Sequence, residues 1–483
     1  MLLISITIGC GSKVSQSEKK KPNLLFILTD EQRYDTSGPY GNHQIKTPHL
    51  NSLGENSVVF QKAYVSQPVC SPARSTILTG LYPHSTGVTN NNILMEERVK
   101  ALPELIRDTS YKTAYIGKWH LGRENDAWHG FDHRISTEDW YTEEDTTNQT
   151  DYNQWLQKNG FEPNQKTTNT FSRYYATTLP YEFSKSKFIE TKGLEFLENN
   201  RDSPFIMYLS FLEPHFPYNG SFNTLHDASS IVLDSTYHLT EINNDAPLRY
   251  HMARGYGIPT YSVEELFARY WGLVHQVDLS VGAVLAKLRE LGIEDTTIVV
   301  FTSEHGTMLQ KFRINGKTVM YEESSRVPFI IKAPDIAPMH IHQPVGQIDL
   351  VPTLLDLLGQ SIPEQLQGET LVPLMKGEKT EPRPVFMEWN PFVNWERDLD
   401  KCPQWSHYDQ CSVVLQAHIR SVVTPDGWKL NWNTDDRSQL FNLNEDPKEL
   451  NNLFGSKEHQ ERVRNLKGLI KDWQTRTNDK VEF

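Results

Sequence analysis

Four apolar segments of the sequence each run directly into ionisable residues. Those residues are Asp30, Glu31, Lys118, His120, Glu213, His215, Glu304 and His305. Each segment has the length and composition of a buried β-strand, and ligands bind at the carboxyl ends of strands in open α/β sheets. Carboxylates, lysines and histidines gathered at that edge could bind a hard cation, neutralise an anion and transfer protons. One such junction could be a solvated turn, but four together predict a reaction site.

Two further segments carry reactive side chains. The pentapeptide Cys70-Ser71-Pro72-Ala73-Arg74 places a cysteine four residues before an arginine, and Lys317 follows a glycine late in the chain. Taken alone, Cys70 could be a free thiol in a turn bounded by proline. Its position between the first two junctions favours a role in the same site.

Together these segments resemble the type I sulfatases of the alkaline-phosphatase-like superfamily. The matching segments occur in the family's order, at residues 70–74, 117–122, 214–217, 302–306, 316–323 and 440–447. The resemblance implies that a maturation enzyme oxidises Cys70 to Cα-formylglycine (3-oxoalanine). A hydrated aldehyde offers one hydroxyl to attack sulfur and a second whose collapse expels the sulfate, which a thiol cannot do.

The resemblance also implies one calcium ion per chain. Its ligand positions match Asp30, Glu31, Cys70, Glu304 and His305, and a hard cation there would bind a sulfate oxygen. The chain departs from the family pattern at Glu31 and Glu304, where Asp is usual, and at His305, where Asn is frequent. Because glutamate is one methylene longer, the geometry must adjust, and Glu31 is the least defined of the expected ligands.

The remaining matches suggest a cationic lining and two proton-transfer groups. By resemblance, Arg74 holds the hydrated aldehyde, while Lys118 and Lys317 contact sulfate oxygens. His120 matches the family's base, and His215 matches the acid that protonates the leaving alcohol. Both roles suit imidazole, whose ordinary pKa lies near neutrality.

The elements that must position these residues indicate an α/β fold. Strand and helix patterns alternate over residues 22–377, which predicts a mostly parallel central sheet and, by resemblance, an alkaline-phosphatase-like sandwich. A long helix is expected after Ser262, with Glu265 three residues on and a stop at Gly292. Over residues 378–483, short alternating segments predict a C-terminal subdomain with a small antiparallel sheet and a packed final helix.

The net charge of the chain and its amino-terminal residues indicate which partners it could bind and where in the cell it could act. The net charge of −13 over 483 residues disfavours nucleic acid as a partner. Residues 1–21 resemble a bacterial lipoprotein signal and linker, with Cys10 as the lipidated residue, although no Lys or Arg precedes the apolar stretch. We therefore expect export to the periplasm or cell surface with a lipid anchor. Cys402 and Cys411 could form a disulfide in an exported protein, and the sequence leaves that pair open.

Two segments outside the motifs could contact the substrate. Residues 133–184 and 389–411 are rich in amides and aromatics, namely Trp140, Tyr141, Tyr152, Trp155, Trp389, Trp395 and Trp405, and the second segment adds Arg397 and Lys401. Such side chains suit sulfated sugars, although the aromatics could equally pack these loops onto the core. The expected substrates are sulfated polysaccharides or oligosaccharides of algal or glycosaminoglycan type.

Two other functions stay open on the sequence alone. A phosphonate or phosphate monoester hydrolase of the same superfamily would use a related site. A non-catalytic sulfoglycan-binding protein descended from a sulfatase would explain the glutamates at positions 31 and 304. The retention of Cys70, His120, His215 and Lys317 opposes it. A two-zinc phosphatase would need Ser or Thr in place of Cys70. The sugar, the sulfated position, endo or exo action and the oligomeric state are not defined by the sequence.

Overall fold

The described part of the protein covers most of the chain. A computed structural model describes residues 21–122, 129–138, 149–165, 168–239, 246–254, 261–403 and 406–483. Cys10 and three of the aromatics, Trp140, Tyr141 and Trp405, lie outside the described residues. Lipidation at Cys10 and export therefore stay predictions, as does the domain boundary near residue 378.

The described strands form two sheets. Those of the large sheet are β1 (Asn23–Thr29), β2 (Val58–Tyr64), β3 (Lys112–Gly117), β4 (His133–Ser136), β5 (Phe205–Ser210), β6 (Thr297–Ser303), β7 (Arg326–Val327), β8 (Phe329–Lys332) and β9 (Met339–Gly346). Those of the small sheet are β10 (Val385–Trp389), β11 (Ile419–Val423), β12 (Trp428–Asn433) and β13 (Gln439–Asn442).

The helices surround these sheets. They are α1 (Pro48–Glu55), α2 (Cys70–Thr79), α3 (Pro83–Thr86), α4 (Leu102–Leu105), α5 (Asp151–Lys158), α6 (Arg173–Ala176), α7 (Lys185–Asn200), α8 (Leu248–Met252), α9 (Val263–Glu290), α10 (Glu322–Ser325), α11 (Leu350–Leu357), α12 (Val372–Met375), α13 (Tyr408–Leu415) and α14 (Gln460–Thr477). None of the described helices has the length and apolar character needed to cross a bilayer.

The large sheet is mostly parallel, as the sequence predicts. Its order is β4, β3, β5, β1, β6, β8, β2, β7, with β9 paired to β2. Strands β4, β3, β5, β1 and β6 are parallel neighbours, while β8 runs antiparallel to both β6 and β2. In register, Thr29 lies beside Ser303 and Gly117 beside Ser210. The carboxyl ends of β1, β3, β5 and β6 therefore meet at one edge.

Both faces of the large sheet are buried, so its central strands consist almost wholly of apolar residues. Along β1, Phe26 and Leu28 contribute to one core and Leu25 and Ile27 to the other, because side chains alternate across a strand. Helices α2 and α11 pack on the first face, and α1, α7 and α9 on the second. The fold is a three-layer sandwich with its ligand edge left open.

The predicted cap and C-terminal elements are present. Ser262 Oγ accepts a hydrogen bond from Glu265 N at 3.1 Å, and α9 ends two residues before Gly292. Strands β10 to β13 form a four-stranded antiparallel sheet, on which α14 packs through Leu466, Ile470 and other residues.

The structure contains the disulfide that the sequence could neither predict nor exclude. Cys402 and Cys411 form a disulfide that ties the segment before α13 to that helix. Leu399 and Val414 pack around it together with Leu248 of α8. The bridge therefore stabilises the loop that leaves β10.

Candidate active site

The ends of β1 and β6 supply three buried carboxylates. Asp30 and Glu31 follow β1, and Glu304 follows β6 beside them. Glu31 adopts a positive φ of 64°, a conformation that costs a residue with a side chain of order 1 kcal/mol. That turn directs the two adjacent carboxylates toward different partners.

The end of β3 supplies Lys118 and His120. Gly117 has a φ of 118°, and a Cβ there would lie 1.9 Å from the carbonyl oxygen of Ser210. This close approach allows Lys118 N to donate to the same oxygen at 2.9 Å. The Lys118 ammonium forms a buried ion pair with Asp30, while Ser71 Oγ donates to the His120 carbonyl at 2.6 Å. The β3 end is thereby joined to the residue after Cys70.

Cys70 is the first residue of the ten-residue helix α2 and is 2 % exposed. The positive end of the helix dipole stabilises negative charge there. His305 Nε2 lies 3.4 Å from Cys70 Sγ. Donor atoms of Asp30, Cys70, Glu304 and His305 all lie within 4.8 Å of one another. These four residues form a compact, fully buried donor set.

Arg74 lies one helical turn after Cys70, under this donor set. Its Nη1 donates to the Lys118 carbonyl at 2.7 Å and to Ser210 Oγ at 2.8 Å. Its Nε forms an ion pair with Glu304, and its Nη2 lies 3.9 Å from Asp30 Oδ2. The guanidinium therefore joins the ends of four strands, β1, β3, β5 and β6, and offsets two buried carboxylates.

A second group of side chains lies nearer the solvent. The Lys317 ammonium pairs with Glu31 and lies 3.3 Å from His215 Nε2. Glu31 Oε1 is 3.2 Å from the same nitrogen, and Tyr218 donates to Glu31 Oε2 at 3.3 Å. His215 Nδ1 contacts the carbonyl of Phe216 at 2.6 Å, which leaves Nε2 facing the site. Asp30, Glu31 and His215 form a second candidate metal group.

The electrostatics of the site favour anions. Burial opposes charge on Cys70, but Lys317 and Lys118 outweigh it and hold the pKa of the thiol well below its usual value. Burial, reinforced by Lys118, lowers the pKa of His120. Burial also lowers the pKa of His215, with Asp30 opposing and Lys317 adding to the effect. Both imidazoles are therefore predominantly neutral at neutral pH, while the lysines stay charged.

Ten of the eleven residues singled out from the sequence gather at this edge. The eleventh, Glu213, instead accepts hydrogen bonds from Ser186 N and Gln276 Nε2. The innermost, Asp30, Cys70, Arg74, Lys118, Glu304 and His305, are each at most 2 % exposed. His120, His215 and Lys317 are only partly buried, so they border the approach from solvent. Glu31 connects the two layers, and its role as a metal ligand stays a prediction.

Sequence reasoning missed three supporting residues. Tyr218 contacts Glu31, while Ser210 and Tyr115 hold the Arg74 guanidinium. Ser210 is the last residue of β5 and Tyr218 closely follows His215, so proximity to the junctions is the only sequence signal for either. Tyr115 lies in the interior of β3, where a tyrosine indicates only a buried strand.

The two aromatic segments behave differently. Tyr152 is fully buried and Trp155 packs on Phe183 and Phe188, so these two aromatics stabilise their own loop. In the second segment, Trp389, Arg397 and Lys401 line a cavity beside Lys317. The first segment also adjoins the site, because its Arg173, Ala176 and Thr177 line a pocket together with His215.

Comparisons with known proteins agree with this geometry. A family model described as Sulfatase matches residues 22–360, and one described as N-sulphoglucosamine sulphohydrolase, C-terminal, matches residues 311–476. The chain is 29% identical to an ulvan-active sulfatase of Formosa agariphila over 477 residues, which is 95% of this chain and 83% of that protein.

Solved structures share the fold. A phosphonate monoester hydrolase of Agrobacterium radiobacter superposes with a TM-score of 0.77 at 21% identity, covering 95% of this chain and 96% of that one. A protein solved in complex with its substrate D-glucosamine-2-N,6-O-disulfate superposes with a TM-score of 0.73 at 21% identity, covering 95% and 99%. These matches confirm the alkaline-phosphatase-like sandwich.

Proposed function

Because this chain belongs to the sulfatase family and is a sulfuric ester hydrolase, we propose that its substrates are sulfated polysaccharides or oligosaccharides. We further propose that it acts with a formylglycine made from Cys70 and with one calcium ion. The observation that carries this proposal is the donor set around Cys70, bordered by Arg74, Lys118 and Lys317.

The residues present fit a hard divalent cation. Asp30 and Glu304 contribute buried carboxylates to the donor set, and such oxygens are the ligands that calcium prefers. Within the described part of the chain, Asp30 Oδ1 is buried without a hydrogen-bond partner. An unsatisfied buried carboxylate oxygen is costly, and a bound cation would satisfy it. When bound, calcium would draw charge from a sulfate oxygen.

Cys70 Sγ stands in this structure for the oxygens that a hydrated formylglycine would carry. Its neighbours suit a nucleophilic oxygen, because Lys118, Lys317 and the α2 amino terminus all favour negative charge there. Conversion requires a formylglycine-generating maturation enzyme as a partner.

The cationic side chains bind and orient the sulfate ester. Lys317, at the solvent side, holds a sulfate oxygen as it enters, while Lys118 holds another at the base. Both ammonium groups are already fixed by carboxylates, so little reorganisation is needed when the charge arrives.

The two histidines move protons on opposite sides of the ester. His215 Nε2 faces Lys317 and the solvent approach, where the leaving alcohol would lie. A bound sulfate raises the pKa of this imidazole because it places an anion beside the ring, so His215 carries the proton that the leaving oxygen receives. His120, hydrogen-bonded to Cys70, accepts a proton from the group at position 70.

A carbohydrate substrate and an exported location complete the proposal. The relative that acts on the polysaccharide ulvan supports the first. The Cys402–Cys411 disulfide supports the second, because disulfides persist in oxidising compartments. A lipid anchor at Cys10 would tether the enzyme at the bacterial periplasm or cell surface.

The test is sulfate release by matured protein from a panel of sulfated oligosaccharides, with a Cys70→Ala variant as the control. Matched aryl sulfates and aryl phosphates in the same assay separate this function from phosphate or phosphonate ester hydrolysis. We expect sulfate release from one glycan class and none from the variant. Faster release of phosphate than of sulfate from the matched pair would contradict the proposal.

A further inference from the structure

A cavity of about 500 Å³ opens beside Lys317, within the size range of small-molecule sites. Three parts of the chain form its walls: residues 315–318, helix α8, and the segment that follows β10. Glu31 and Lys317 belong both to this cavity and to the site described above. A substrate whose sulfate reaches Lys317 would therefore extend into it.

Arg249 of α8 lies in the wall of this cavity and is 7% exposed. One amino group is engaged, because Nη1 donates to the Thr318 carbonyl at 2.6 Å. The other, Nη2, is buried and has no hydrogen-bond partner among the described residues. A buried guanidinium cannot give up its proton to avoid the cost of burial, so an unused donor there points to a missing acceptor.

The surroundings of Arg249 fix the orientation of the guanidinium, and Tyr250, Asp436 and Asp398 favour its positive charge. Its planar group lies 4.0 Å from the ring centre of Trp389, a stacking arrangement that fixes its orientation. The nearby Asp436 carboxylate accepts the backbone N–H groups of Leu248 and Arg249. Asp436 therefore caps α8 and forms no hydrogen bond with the guanidinium in this structure.

The charges at the mouth of the cavity differ from those at Arg249. Lys401 pairs with Asp398 at 2.6 Å, and Arg397 lies 3.8 Å from the same carboxylate. Asp400 adds a further negative group to the lining. The cations near the rim thus form ion pairs with carboxylates, whereas Arg249 Nη2, in the wall of the cavity, forms no such pair and has no hydrogen-bond acceptor among the described residues. An anionic group is attracted to that one position.

We propose that Arg249 binds a second anionic group of the substrate, a uronate carboxylate or a further sulfate, while the first sulfate occupies the reaction site. This assignment depends on the proposed function and narrows its substrate class to sugar chains with at least two anionic groups. Oxygens of either group accept charge-assisted hydrogen bonds from guanidinium, and the stacking on Trp389 keeps the Arg249 guanidinium in a fixed orientation for them.

The test compares three matched substrates: a sulfated disaccharide with a uronate, its carboxyl-reduced counterpart, and that counterpart with a second sulfate. We measure kcat/KM for each with matured wild-type protein. We expect kcat/KM for at least one of the two doubly anionic substrates to exceed that for the carboxyl-reduced substrate by about tenfold or more. A hydrogen bond to a charged group contributes about that much. The comparison of the two doubly anionic substrates identifies the preferred group.

The Arg249→Gln variant tests whether Arg249 causes the preference for doubly anionic substrates. In this variant we expect the ratio of kcat/KM for the doubly anionic substrate to kcat/KM for the reduced substrate to fall to within about threefold of unity. Arg249→Lys should retain part of the wild-type preference. The matched control Arg289→Gln removes the same charge from the exposed side of α9 and should retain the wild-type ratio. A general loss of activity lowers kcat/KM for every substrate by the same factor, so a change in the ratio reports only on recognition of the second anionic group.

Two results would overturn the assignment. The first is a wild-type enzyme without preference for a second anionic group, which needs no variant and so decides the matter even if Arg249→Gln fails to fold. The second is a preference that survives intact in Arg249→Gln. Failure of wild-type protein to release sulfate from all substrates in the panel is a different outcome, because it contradicts the proposed function itself.

Discussion

At the residue scale, Asp30 and Glu31 are adjacent in the chain but have different partners. Asp30 pairs with Lys118 at the base of the site, while Glu31 pairs with Lys317 and approaches His215. The positive φ of Glu31 produces this division. One strand end therefore contributes to both the buried donor set and the solvent-side group.

Replacing Lys317 should lower the catalytic efficiency of the enzyme on sulfate esters. In Lys317→Ala, the loss of a preorganised charge beside the sulfate is expected to lower kcat/KM about 100-fold or more. Steady-state kinetics on a sulfated oligosaccharide measure this. Lys332→Ala, which removes a lysine that pairs with Glu294, is the matched control and should stay within about twofold. A loss below about fivefold in Lys317→Ala would contradict the role.

Replacing His215 should make the rate depend on the leaving group. An aryl oxide leaves without help, whereas a sugar alkoxide needs a proton. We therefore expect His215→Ala to lower kcat/KM by about 100-fold or more for a sugar sulfate and by much less for an activated aryl sulfate. His238→Ala, at an exposed histidine, should leave the ratio unchanged. Equal losses on both substrates would rule out the acid role.

The sequence predicted the reacting residues better than the residues that position or surround them. Cys70, Arg74, Lys118 and the carboxylates carry local patterns, because they follow strands or lie together in one short segment. Arg249 carries no such pattern: it lies on a five-residue helix far from every motif in the sequence. Its position beside Lys317 arises only from tertiary packing.

At the element scale, the close approach of β3 and β5 aligns the site. Strands buried on both faces are continuous apolar runs in the sequence, which is why their existence could be predicted. The order of the strands in the sheet could not be predicted, because a single sequence records no contacts between distant strands. The same holds for the pairing of β2 with β7, β8 and β9.

Gly117→Ala tests that close approach. The new Cβ would lie 1.9 Å from the Ser210 carbonyl, which is backbone and cannot move aside cheaply. We expect a destabilisation of about 3 kcal/mol or more, measured by urea denaturation. Gly292→Ala is the matched control, since Gly292 also has a positive φ but nothing lies near its Cβ position. A cost of about 1 kcal/mol is expected there, and equal costs would contradict the account.

At the scale of the whole molecule, His84 joins three parts of the chain. Located on α3, it contacts Glu388 of β10 at 2.5 Å through Nδ1 and the Thr477 carbonyl of α14 at 3.2 Å through Nε2. Burial opposes charge on His84, but Glu388 outweighs it and raises the pKa of the imidazole. Glu388 is fully buried beside it, and its own pKa is lowered.

This junction should make stability depend on pH. A histidine with a raised folded-state pKa stabilises fully below its unfolded value of about 6.5, and the contribution is lost as pH rises through the folded value. We therefore expect His84→Ala to lower Tm by several degrees more at pH 6 than at pH 10. His43→Ala, at an exposed position, should cost less than about 0.5 kcal/mol at either pH. An equal effect of His84→Ala at both values would contradict the charged pair.

Sulfate release by this protein should depend on conversion of Cys70 to formylglycine. The direct measurement is specific activity against the converted fraction of Cys70, determined by peptide mass in preparations made with graded amounts of maturation enzyme. We expect specific activity to rise in proportion to the converted fraction, as a straight line through the origin, and Cys70→Ala to be inactive whatever the amount of maturation enzyme. Sulfate release that stays constant as the converted fraction falls toward zero would contradict it.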